Sequence, residues 1–122
     1  MIGMHIELIL IVTGALTAVA LVQFFAPGPM LRMIFGEAPR DLPGLALARH
    51  WGLLIFLVGA LLIYAAFHPP VRGPAVLLAA IEKIALGVGV LVTPLRRRPL
   101  AEAIAVGDSF IALVYVLYLA GY

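Results

Sequence analysis

The stretch from Ala75 to Pro94, AVLLAAIEKIALGVGVLVTP, constrains this chain more than any other. It is an apolar run of about 20 residues, the length at which a helix rising 1.5 Å per residue crosses the hydrocarbon of a bilayer. Near its middle, Glu82 and Lys83 stand side by side. A charge at that depth costs about 2.5–3.5 kcal/mol even on the mildest insertion scale. Partner residues, a water-filled cavity or a ligand must therefore answer the pair.

Three further runs share that length and are bounded by helix stops. The first extends from about His5 to Phe25 and meets Ala26-Pro27-Gly28-Pro29, where two prolines and a glycine interrupt a helix. Met30 to Phe35 is too short to cross and, with Pro29 before it and Gly36 behind, reads as an interfacial helix. Asp41 is a natural N-cap and Pro43 a first-turn residue, so the second span covers about 43–67 and stops at His68-Pro69-Pro70. Pro74 opens the third span, over about 75–94, which Pro94 ends. Pro99 opens the fourth, over about 100–121, with Glu102 at the positive end of its dipole. The hydrophobic share is 65% and the mean hydropathy +1.18, against about 45–50% apolar in ordinary globular chains. These features predict an all-α integral membrane protein of one domain: an up-down-up-down four-helix transmembrane bundle with a short interfacial helix after the first span.

Charge placement predicts orientation. Arg32, Arg40, Arg49, Arg96, Arg97 and Arg98 fall on one side of the expected bundle, and only Arg72 and the amino terminus on the other. Positive-inside then puts both termini outside, in the periplasm of a bacterial inner membrane, and the Arg-rich loops in the cytoplasm. Ala18-Val19-Ala20 mimics a signal-peptide cleavage site, but residues 1–10 hold no Lys or Arg and do hold Glu7, so the first span is expected to be retained. A net charge of +2 placed mostly in loops speaks for membrane lipids as partners and against nucleic acid.

Small residues show which faces meet, because without a hydrophobic force between them helices in lipid pack where backbones approach closely. Gly44, Ala48 and Gly52 form such a stripe on the second span, Gly14 and Ala18 on the first. Ala79 and Gly87 flank Lys83, Ala85 and Gly89 accompany Glu82, and Ala101, Ala105, Asp108, Ala112 and Tyr115 share a face of the fourth span. Glu82, Lys83 and Asp108 lie at similar depth, roughly 12 Å in from their respective ends, and Lys83 is expected to pair with Asp108 or with Glu7. Glu7, Glu82, Lys83, Asp108, His50 and Arg49 together form a ladder of ionisable groups across the bundle. His50 shares a face with Leu57 and Tyr64 at seven-residue spacing, which points it inward.

From this ladder we expect a polar site in an apolar cavity, the usual build of a ligand site. Its expected ligand is a small lipophilic molecule such as an isoprenoid, quinone or sterol-like lipid, bound and in one version converted. In that version Asp108 or Glu82 acts as a proton donor, and Lys83, His50, Arg49, Trp51, Tyr64, Tyr115 and Glu7 contribute to binding. Two other classes fit the same residues: a proton-coupled transporter working as a homo-oligomer, with the ladder as relay, and an accessory subunit of a larger membrane complex. Lys83–Asp108 also reads as a pair that only fixes helix register, and Trp51, with most of Tyr115, Tyr118 and Tyr122, as interfacial aromatics. No metal or cofactor is expected. Cysteine is absent, and His5, Glu7 and His68 do not converge as zinc ligands do.

Four short spans that occupy the whole chain resemble the architecture of small bacterial membrane proteins of the DoxX-like kind. That likeness implies a four-helix membrane fold and carries no catalytic residue with it. ARHWG, Ala48 to Gly52, and IEK, Ile81 to Lys83, are the segments most distinctive of this chain.

Overall fold

Proline and glycine set where the helices of this chain begin and end. The computed structural model describes residues 2–93 and 97–121. Its regular structure, among the described residues, is entirely helical: a 3-10 turn at Ile2–His5, α1 (Ile6–Ala18), α2 (Leu21–Phe25), α3 (Pro27–Phe35), α4 (Leu42–Phe67), a 3-10 turn at Pro69–Val71, α5 (Arg72–Leu91) and α6 (Pro99–Leu119). Four segments, Ile2–Phe25, Leu42–Phe67, Pro69–Leu91 and Pro99–Leu119, are long and apolar enough to cross a membrane. The expected stop at Pro94, Arg96 of the basic run and Tyr122 lie outside the described residues.

Capping follows the sequence closely. Asp41 is extended, at φ −82° and ψ 155°, and its carboxylate accepts from the Gly44 amide at 3.0 Å, which satisfies one of the free donors at the start of α4. Pro27 and Pro99 sit in the first turns of α3 and α6, where a missing N–H costs nothing. Gly36 closes α3 at φ 84°, a left-handed conformation that suits glycine. The expected interfacial helix is thus longer than Met30 to Phe35. Pro27 starts it instead of merely ending the first span, and the reversal occurs at Ala26, φ −138° and ψ 68°.

The first span is not one helix. At Val19 and Ala20 the bonding tightens: the amides of Ala20, Val22 and Gln23 reach carbonyls three residues back, at 3.2, 3.0 and 2.9 Å, as in a 3-10 turn. Two threonines lead into the break. Thr13 Oγ1 donates to the Ile9 carbonyl and Thr17 Oγ1 to the Thr13 carbonyl, both at 2.7 Å. Such back-bonding competes with the helical ladder and bends it.

Close backbone approach joins the segments. A Cβ on Gly59 would lie 2.6 Å from both the Gly14 carbonyl oxygen and the Ala18 nitrogen, and one on Gly52 would lie 3.0 Å from the Ala20 oxygen. α1 and α2 therefore run along α4 in the opposite direction. α5 and α6 also approach closely, with Gly87 beneath Ser109 Oγ, 2.6 Å from where a Cβ would be. Two of the expected stripes do something else. Gly44 meets Pro39 and Asp41 at the cap of α4, not a neighbouring helix, and Gly89 has nothing within 4 Å. Ala85 is exposed as well, so the small residues beside Glu82 do not form a helix interface.

The core divides in two. One cluster gathers Ile6, Leu10, Leu62, Ala65, Val76, Ala79 and Tyr115, and the other Ile34, Val90, Ala101 and Ala105. On α5 and α6, Lys83 and Asp108 fall between these two levels.

Candidate functional site

Among the described residues Lys83 is the least exposed charge, at 2%. Ala79 and Gly87, one turn to either side, are also buried, so this face of α5 lies against its neighbours and carries the ammonium with it. Lys83 Nζ donates to Thr17 Oγ1 at 3.0 Å and to Asp108 Oδ1 at 3.3 Å, joining α5 to α1 and α6. An ammonium has three donors, and these two contacts use two of them. Breaking such a buried pair strands a charge, which is why both partners matter to the fold as well as to any ligand.

Beside this pair is a cavity of about 350 Å³. Leu16, Ile55, Leu86, Ile104 and Ile111 supply apolar wall, while Glu82, Lys83 and Asp108 supply the charges. Glu82 Oε2 is buried and finds no hydrogen-bond partner among the described residues. Phe35 and Trp51 form another part of the wall and stack on each other, ring centroids 6.4 Å apart and planes at 27°. The break in the first span opens onto the same space, through Val19, Ala20 and Gln23. Gln23 Nε2 donates to the Ala48 carbonyl at 2.7 Å and ties α2 to α4.

Of the residues anticipated for the site, Glu82, Lys83, Asp108 and Trp51 come together here. Tyr115 is fully buried in the neighbouring core, and its hydroxyl donates to Thr13 Oγ1 at 2.5 Å. It supports α1 from behind and does not line the cavity.

The other four lie elsewhere. Glu7 does not reach Lys83. Its side chain is 69% exposed and pairs at 3.4 Å with Arg72, whose guanidinium is anchored on the Ala65 and Ala66 carbonyls at 2.9 and 2.6 Å. His50 and Arg49 are exposed. The reason is angular: α4 buries the line Ala48, Gly52, Gly59, and two residues along a helix turn about 200°, so His50 faces away. Tyr64 shares that outward face and stacks on His68 with centroids 3.9 Å apart. The expected ladder across the bundle is thus two separate groups, Glu7–Arg72 at one end and Glu82–Lys83–Asp108 within.

No family model, curated protein or solved structure matches this chain. The site is therefore read from its own geometry. Three residues that sequence reasoning passed over belong to it: Thr17, Gln23 and Phe35. A signal for the first was present, since Thr13 and Thr17 stand one turn apart in an otherwise aliphatic helix and mark the face that meets Lys83 and Tyr115.

Proposed function

We propose that this protein spans a bilayer four times and binds a small lipophilic molecule in the cavity beside Glu82, Lys83 and Asp108. One observation carries the reading: a mostly apolar chamber in which a buried carboxylate oxygen has no partner among the described residues. An unsatisfied buried polar atom costs about 1–3 kcal/mol, more when it is charged, and a ligand with a polar end relieves that cost while its body fills the apolar volume. Lys83, held by Thr17 and Asp108, offers its remaining donor to the same space.

The proposed setting is the one that charge placement indicates, with both termini outside and the Arg-rich end of the bundle cytoplasmic. Four apolar helices are what support the likeness to DoxX-like proteins. Because the chain has no cysteine, single-cysteine variants at Glu37 and Gly73 test the topology without background labelling. The Glu37 position is expected to react only from the cytoplasmic side and the Gly73 position only from outside.

Ligand binding is tested by native mass spectrometry of the gently purified protein, with extraction of what it carries. A single lipophilic species is expected on the wild type and lost from Glu82→Gln and Asp108→Asn. Full retention by both variants would remove the basis for the reading.

A further inference from the structure

The charges in the cavity do not balance. Among the described residues, those lining it bring two carboxylates, Glu82 and Asp108, and one ammonium, Lys83. Asp108 takes that ammonium at 3.3 Å, and Thr17 occupies a second of its protons. Glu82 Oε2 is left buried and unpaired. Among the described residues, no arginine or histidine lines the chamber. The cationic side chains nearest in sequence on α4, Arg49 and His50, face outward, and Arg72 is committed to Glu7 and the end of α4.

The aromatic residues lie on the same side as the unpaired acid. Phe35, Trp51 and Glu82, with Ile55 and Leu86, border one continuous recess. An indole face attracts an organic cation within about 6 Å, and the attraction grows when the partners are out of water. A carboxylate next to stacked aromatic rings in an apolar chamber has the elements that recognise a cation with a greasy body. An inorganic ion would be recognised by converging oxygen ligands, and the recess beside Glu82 is otherwise bordered by aliphatic and aromatic residues and Gly89.

We propose that the ligand is a lipophilic organic cation, a substituted ammonium whose positive centre sits between Glu82 and the Trp51 face and whose apolar body lies against Leu86 and Ile104. This rests on the lipophile-binding reading and narrows it: the ligand itself supplies the missing positive charge. Glu82 is the residue that selects for charge, while Lys83–Asp108 holds the adjacent wall and keeps Asp108 from competing.

Trp51 is the single tryptophan of the chain, so its fluorescence reports on the cavity directly. The test uses two probes of nearly the same shape, phenyltrimethylammonium and its neutral carbon isostere tert-butylbenzene. Each is titrated into the detergent-solubilised wild type and into Glu82→Gln, and affinities are compared between proteins for each probe, which cancels partition into micelles. Phenyltrimethylammonium is expected to bind at least tenfold more weakly to Glu82→Gln, and tert-butylbenzene to change less than twofold. Glu82→Asp, which keeps the charge, is expected to restore most of the cation affinity and shows that any loss is not misfolding. If both probes bind and neither responds to Glu82→Gln, or both weaken equally, the cation proposal fails while lipophile binding stands. If neither probe perturbs Trp51 in the wild type, both readings fail.

Discussion

The two ends of the helical assembly solve the same packing problem differently. At one end, Leu10, Leu62, Val76 and Tyr115 are fully buried around small residues, and the ionisable groups there, Glu7 and Arg72, pair at the rim. At the other, the core is made of Ile34, Val90 and two alanines, and Ile34, Val90 and Ala101 border a cavity of about 350 Å³. The difference traces to the first span. Up to Ala18 it is a regular helix whose Gly14 and Ala18 fit against Gly59, and beyond that it breaks and gives way to the short α2 and α3. The closed end is built for packing. The open end has given up packing for space, which is expected of a binding site and not of a structural plug.

That contrast can be broken experimentally, and the largest effect is expected at the boundary itself. Lys83→Ala leaves the half-buried Asp108 without its partner, and we expect a loss of up to about 3–5 kcal/mol, measured by reversible unfolding in mixed micelles. Lys83→Met combined with Asp108→Leu is expected to recover most of it, since the cost lies in the stranded charge. Next comes the closed core, where Leu62→Ala is expected to cost about 2–5 kcal/mol. Leu86→Ala in the cavity wall is expected to cost clearly less, because that side chain already borders open volume. Equal losses at the two leucines would mean that the ends are packed alike.

Gly59→Ala pushes a methyl into backbone 2.6 Å away, and we expect it to cost about 1–3 kcal/mol. Gly89→Ala, with nothing within 4 Å, is expected to be neutral or slightly stabilising by the same assay, through helix propensity alone. A small loss is expected for Tyr115→Phe, which removes one interhelical hydrogen bond worth about 0.6 kcal/mol in a membrane setting. Its readout is hydrogen exchange in α1, where the amides after Thr13 are expected to lose protection.

Much of the framework was legible in the residues. Run lengths, the caps at Asp41 and Gly36 and the prolines of the first turns are local signals, and each acts within a few residues of where it is written. Lys83 and Asp108 were also readable as neighbours, because both sit among small residues at matching depth on consecutive helices. Other placements were not local. Glu7 and Gly14 share a helical face, yet Glu7 turns to Arg72 because the end of α4 holds that guanidinium in reach. His50 was assigned an inward face from its spacing to Leu57 and Tyr64, and that spacing is correct, but periodicity cannot say which of two faces goes inside. The glycine line through Gly52 and Gly59 decided it, by letting α1 and α2 approach on the opposite side.

The sequence by itself determined the helices, their apolar lengths and the presence of charges too costly to leave unanswered. Only the tertiary structure decided which charges answer one another. Pairing depends on the rotation of each helix about its axis, and that rotation is set by where two backbones come closest. The same contacts gave Lys83 to Asp108 and left Glu82 Oε2 buried without a partner among the described residues.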